Sequence, residues 1–341
     1  MEFPFFTGKR EEFVKDGHKF LPVSRRDAET LPQSYDTEEG LVYAVNDSLL
    51  LGQPLLLTGD PGTGKTQLAH RLAWELGFGQ PLVFETKSDS TAKDLFYTFD
   101  TLGRFCDVYC FQNGDNTKPD LAKDPRHYIR YNALGKSILL ASEPGTATSA
   151  GYEEYDGPRR SVVLIDEIDK APRDFPNDIL NEIEQMFFRI PELGNMKIEA
   201  DKSMTPVVVI TSNQEKHLPD PFLRRCIFYH IRFPEPGRMK RIIENRLKDI
   251  PCVSGEHKSL DDAFLNDAIE IFYHLKKQNL KKEPSTAELI AWLRRLREIP
   301  GTKNPVREKS EQVEKTLDVL IKQKEDIEKA REAVKQRMSE L

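Results

Sequence analysis

Apolar residues along this chain alternate between two rhythms. Three unbroken runs, Leu55-Leu56-Leu57, Val162-Val163-Leu164-Ile165 and Val207-Val208-Val209-Ile210, read as strands covered on both faces. Leu82-Val83-Phe84-Glu85 and residues 227–233 read as two more. Between the runs the spacing turns helical. Leu41, Val45 and Leu49 recur every four residues before the first run, and Leu68, Leu72 and Leu76 do so after it. Thr37, followed by Glu38 and Glu39, is the expected N-cap of the first helix, and Gly52-Gln53-Pro54 ends it. Ile179, Ile183 and Met186 mark one side of an amphipathic helix over 174–187, and residues 188–190 and 196–198 flank 191–195 as a β-hairpin. Strands alternating with helices predict an α/β fold, a parallel sheet with helices on both faces.

The stretch 86–160 is less regular. Residues 96–100 and 105–111 read as a hairpin turning at Leu102-Gly103, with a pore-lining surface as the alternative use of its aromatics. A helix is expected over 133–142 and an exposed loop over 143–160.

Pro234-Glu235-Pro236-Gly237 marks a boundary. Beyond it, helical patterns over 239–247, 260–275 and 286–296 predict a small all-α domain, closed off by Pro300-Gly301-Thr302-Lys303-Asn304-Pro305. In the tail, Val313, Leu320, Ile327, Val334 and Leu341 recur every seven residues, with Leu317 and Met338 at companion positions and Lys324 and Arg331 interrupting that row. This predicts one C-terminal amphipathic helix over 306–341, docked on the helical domain or on a partner in preference to a dimeric coiled coil. The organisation expected is an N-terminal arm (1–34) carrying Phe3, Phe5, Phe6, Phe13 and Phe20, an α/β domain (35–233), a helical domain (234–300) and the tail helix.

Charge narrows the choice of partners. Residues 1–233 hold 27 basic against 36 acidic residues, which argues against a general electrostatic grip on nucleic acid. Cys106, Cys110, Cys226 and Cys252 form no zinc-type pairs and read as incidental thiols. No apolar run approaches the ~20 residues of a membrane span. Met1-Glu2-Phe3-Pro4 lacks the regions of a signal peptide, so a cytoplasmic location is expected.

Candidate chemistry concentrates at three strand ends. Gly59-Asp60-Pro61-Gly62-Thr63-Gly64-Lys65-Thr66 follows the first strand and opens a helix, the context of a phosphate-binding loop. Its glycines allow backbone angles and close approach that a Cβ forbids. Its N–H groups and the helix N-terminus offer positive charge to a polyphosphate. Lys65 can reach the β- and γ-phosphates, and Thr66 can place a hydroxyl on Mg²⁺. Asp166 and Glu167 end the second long apolar run, where ligands sit in open α/β sheets. Asp166 can hold Mg²⁺, directly or through water, while Glu167 can orient and deprotonate the attacking water. Asn213, after the third run, can bond to the γ-phosphate or that water, although Asn after a strand is also an ordinary turn former.

With these elements in place, residues 35–300 resemble the AAA+ ATPases and, within them, the MoxR-type branch. Residues 55–66 resemble Walker A, 162–172 (VVLIDEIDKAP) Walker B, and 207–213 the sensor 1 strand, while 218–226 (LPDPFLRRC) resemble the arginine-finger helix. The resemblance implies ATP and Mg²⁺ as ligands, Asn213 as sensor 1, and Arg225, or alternatively Arg224, as the finger acting on a neighbour. Where the family often carries a sensor 2 arginine, Pro284-Ser285-Thr286-Ala287 offers Ala287; Arg294 or Arg295 lies two turns on. It further implies a homo-oligomeric, hexameric ring that hydrolyses ATP and remodels a protein client, with a von Willebrand factor A domain protein as bridge. Two rivals are a nucleic-acid-directed motor or restriction-type subunit, and a nucleotide-dependent binding switch with slow turnover.

Overall fold

The computed structural model describes residues 31–112, 124–213, 218–248 and 261–340, and the side chains of these except 110–112. The expected arm over 1–34 lies almost wholly outside that range; its last residues, Pro32–Ser34, form a single 3-10 turn. The chain divides into two compact units. One comprises Thr37–Asp60 and Gly64–Arg232; the other comprises Phe233–Leu341 with Pro61–Thr63 and the described residues before Thr37.

The α/β unit begins with α1 (Glu39–Leu51), capped by Glu38 and not Thr37, and closed by Gly52 in the left-handed region at φ 63°. Then follow β1 (Leu55–Thr58), α2 (Lys65–Glu75) and β2 (Leu82–Glu85). All four residues of β1 are buried, and α2 buries Leu68, Ala69, Leu72 and Ala73 along one stripe.

The next segment departs from expectation. β3 (Tyr97–Phe99) pairs with the distant β4 (Ile129–Tyr131), register Tyr97↔Tyr131, and the intervening α3 (Thr101–Gln112) replaces the expected second hairpin strand. Asp100 supplies the reason. Its Oδ1 accepts the Gly103 N–H at 2.8 Å and its carbonyl accepts the Arg104 N–H, so it stops the strand and caps a helix. Helix α3 is turned apolar side out. Asp107 accepts a hydrogen bond from Tyr128 Oη, while Leu102, Phe105 and Tyr109 are 77%, 67% and 61% exposed.

After α4 (Ala133–Leu140), the stretch expected as an exposed loop contains α5 (Pro144–Ser149), with Ala147 and Ala150 buried. Tyr131 Oη donates to the Ala150 carbonyl at 2.7 Å and fastens it to β4. β5 (Val162–Asp166) is followed by two short helices, α6 (Phe175–Asp178) and α7 (Leu180–Gln185), where one was expected. Met186 adopts a left-handed φ of 48° and turns the chain into β6 (Phe187–Ile190), which pairs with β7 (Met196–Glu199) as the expected hairpin. β8 (Val207–Thr211), α8 (Asp220–Leu223) and β9 (Ile227–His230) complete the unit.

The main sheet has strand order β2-β5-β8-β1-β9 and is parallel throughout. Its register sets Leu57 opposite Thr211, Ile165 opposite Ile210, and Glu85 opposite Asp166. The chain therefore leaves β1, β5 and β8 at one common edge, as the unbroken apolar runs require of strands buried on both faces.

The helical unit contains α9 (Pro236–Leu247), α10 (Asp262–Lys276), α11 (Thr286–Arg297), α12 (Pro305–Glu308), α13 (Ser310–Glu314) and α14 (Lys324–Glu340). The tail is thus three helices and a 3-10 turn (Leu317–Val319), where a single helix was expected. Its seven-residue repeat falls on different elements that meet in one core. Val313, Leu317, Leu320 and Val334 are buried there with Phe272, Trp292 and Leu293, and Ile327 and Met338 pack against them; Leu341 lies outside the described residues. Polar anchors hold the tail in place. Asp326 accepts the Lys281 and Lys282 N–H groups, and Asp267 binds Asn304 at 2.6 Å and Arg307 through two bonds.

Trp292 is fully buried, and its Nε1 donates to Thr316 Oγ1 at 2.8 Å. Trp292→Ala is expected to cost about 3–5 kcal/mol of stability, because a large core cavity adds to the lost apolar burial. Urea unfolding of the full chain measures this; a loss below ~1 kcal/mol would show that the tail does not close this core.

Candidate functional site

The loop after β1 owes its shape to three glycines with positive φ: Gly59 at 141°, Gly62 at 81° and Gly64 at 91°. Gly64 is also the N-cap of α2. These angles are costly for residues with a Cβ. Lys65 follows at the first position of the helix, 6% exposed. Its Nζ donates to the carbonyls of Gly59 at 2.7 Å and Asp60 at 3.0 Å. Burial lowers its pKa, opposed by the attraction of Asp166, Asp169, Asp60 and Glu167. A buried ammonium held by backbone carbonyls of its own loop can exchange those partners for anionic oxygens.

Thr66, one residue on, donates from Oγ1 to Asp166 at the end of β5, 3.0 Å to Oδ1 and 3.2 Å to Oδ2. The sheet places β8 between β5 and β1, so Thr211 at its end reaches the same carboxylate. Thr211 Oγ1 lies 2.6 Å from Asp166 Oδ1 and accepts the Glu167 N–H at 2.8 Å. Glu167 itself is left-handed, at φ 54° and ψ 52°. Its carboxylate is held by Asn213 Nδ2, which donates to Oε1 at 3.2 Å, and by an ion pair with Lys170. Hydrogen bonding to Glu167 raises the Lys170 pKa. The Asn213 backbone N–H is anchored on Asp169 Oδ1 at 3.1 Å.

Lys65, Thr66, Asp166, Glu167 and Asn213 therefore share one strand-end neighbourhood, with Gly59, Asp60 and Gly64 framing the loop. Arg225 is turned elsewhere: its Nε donates to Glu184 Oε2 at 3.0 Å and its Nη1 to the Pro221 carbonyl at 3.1 Å. Arg224, like Arg225, is exposed. Ala287 lies in α11 behind a capping box formed by Ser285 and Glu288, and Arg294 and Arg295 lie on the same helix.

Sequence reasoning missed three participants: Thr211, Asp169 and Lys170. A hydroxyl ending a buried apolar run was the legible signal for Thr211, and a base three residues after Glu167 was the signal for Lys170.

Among the described residues no cluster of three His, Cys, Asp or Glu side chains could cage a metal, and no helix is long and apolar enough to cross a membrane. The oxygens of Thr66 and Asp166 nevertheless suit Mg²⁺, which prefers few protein ligands, with waters and phosphate oxygens filling the rest.

The fold and this site define a P-loop α/β nucleotide-binding protein. The profile of the ATPase family associated with various cellular activities (AAA) matches residues 55–235, and the chain belongs to that family. A search of curated proteins finds no match. Among solved structures, the chain is similar to the Holliday junction branch migration motor RuvB of Thermotoga maritima, at 17% identity over 82% of this chain and 67% of that one, with a TM-score of 0.43. A mutant form of the same RuvB aligns at 18% identity over 85% and 72%, with a TM-score of 0.46.

Proposed function

We propose that this AAA-family chain hydrolyses ATP with Mg²⁺ and, as a cytoplasmic ring of like subunits, spends that hydrolysis on remodelling a protein partner. The observation that supports it best is the continuous network from Thr66 through Asp166, Thr211 and Glu167 to Asn213. Lys65 exchanges its carbonyl partners for phosphate oxygens, and the loop N–H groups cradle the chain of phosphates. Thr66 and Asp166 would hold Mg²⁺, which would supply neutralisation of phosphate charge. Glu167 takes the proton from the attacking water, and Asn213 fixes the orientation of the Glu167 carboxylate. Arg225 acts on a neighbouring subunit's site after leaving Glu184. The MoxR-type resemblance supports the ring and the protein client, with a von Willebrand factor A domain protein as bridge.

Charge favours a protein client over DNA or RNA, since residues 1–233 carry 27 basic against 36 acidic groups. A nucleic-acid motor neutralises several phosphates and binds with steep salt dependence. ATP turnover at low salt is therefore expected to be unchanged by single- or double-stranded nucleic acid. Several-fold stimulation, with affinity that falls steeply as salt rises, would replace the remodelling reading with that of a motor. The tail does not recruit the client through its apolar stripe in this reading, because that stripe lies in the core of its own unit.

A further inference from the structure

We infer that Thr211 is a positioning residue that sets the metal-holding carboxylate of Asp166 and the backbone of Glu167 together, so that metal affinity and base placement depend on one hydroxyl. This rests on the hydrolysis proposed above. Thr211 is completely buried at the end of the strand between β5 and β1. A hydroxyl has one proton to give and two lone pairs to accept with. The Glu167 N–H can only donate, so at 2.8 Å the hydroxyl accepts there. Its single proton is then free for Asp166 Oδ1, the 2.6 Å contact.

The assignment of each bond has consequences. Thr66 and Thr211 approach the Asp166 carboxylate from two different elements and fix its rotation, which settles where its remaining lone pairs point. The bond from Glu167 helps to hold a non-glycine residue in the left-handed region, where a Cβ crowds the following carbonyl. Any shift of Thr211 therefore moves the metal ligand and the base at once. A hydroxyl that merely satisfied its own burial would need only one of these partners.

Thr211→Val keeps shape and volume but removes both bonds, while Thr211→Ser keeps both. Binding of a fluorescent ATP analogue is measured in EDTA and across a Mg²⁺ titration, beside turnover. In EDTA, Thr211→Val should bind the analogue as wild type does. Its half-saturating Mg²⁺ should rise, and its kcat fall, by ~10–100-fold, the range for groups that orient metal ligands. Thr211→Ser should restore both. Wild-type Mg²⁺ dependence and kcat in the Val variant would overturn the inference, as would equal impairment of the Val and Ser variants, which would mark a packing role. If circular dichroism shows the Val variant unfolded, Thr211→Ala against Thr211→Ser makes the same comparison. A wild-type protein without turnover would sink the hydrolysis reading, whereas the Mg²⁺ titration of binding would still decide the role of Thr211.

Discussion

Glu167→Gln is expected to lower ATP turnover by ~10²-fold or more while ATP binding persists. The substitution is nearly isosteric. A glutamine can still accept the Asn213 Nδ2 hydrogen bond, and the left-handed backbone and its bond to Thr211 involve no side-chain atom of residue 167. What it loses is basicity and the ion pair with Lys170. Both partners of that pair are well exposed, with Lys170 at 54% and Glu167 at 38% of side-chain surface, so its loss has little effect on stability. Single-turnover hydrolysis beside nucleotide binding separates the two effects. Turnover close to wild type would remove Glu167 as the base.

Lys65→Ala is expected to weaken nucleotide binding by ~30-fold or more. Lys65 is buried and its ammonium is held by two carbonyls of its own loop, so it is already aimed where phosphate must arrive. Removing a buried, hydrogen-bonded charge from a charged contact costs about 2–5 kcal/mol, or ~30-fold to several-thousand-fold in affinity. Titration with a fluorescent nucleotide tests this, and a loss below ~10-fold would show that Lys65 does not carry phosphate binding. The variant also tests the ring. Mixed with inactive Arg225→Ala subunits, Lys65→Ala subunits should restore part of the activity, because one interface then pairs an intact loop with an intact finger. No recovery in confirmed mixed assemblies would count against a finger acting between subunits.

Different parts of this protein were legible in the sequence for different physical reasons. Strands β1, β5 and β8 could be read because a strand buried on both faces must be continuously apolar. The loop at 59–66 could be read because its backbone angles demand glycine at fixed offsets from a lysine. The acid pair at 166–167 was visible because it interrupts an apolar run at the strand end where ligands bind. All three are local constraints, written within a few residues of chain.

Constraints between distant residues were not legible in that way. A heptad repeat over 306–341 specifies an apolar stripe but not the number of helices that carry it. Only packing against Trp292 and Phe272 divides the tail into α12, α13, a 3-10 turn and α14. The aromatics around Leu102 suited a strand by propensity, yet Asp100 capped a helix and left β3 to pair across about thirty residues with β4. At the site itself, the sequence alone determined which residues carry charge and phosphate-binding geometry. The tertiary structure decided that Thr211, 45 residues beyond Asp166, lies beside it and that Asn213 reaches Glu167. Strand order is set by how whole helices and sheets bury their apolar faces, and no local run of residues encodes which strand end lies next to which.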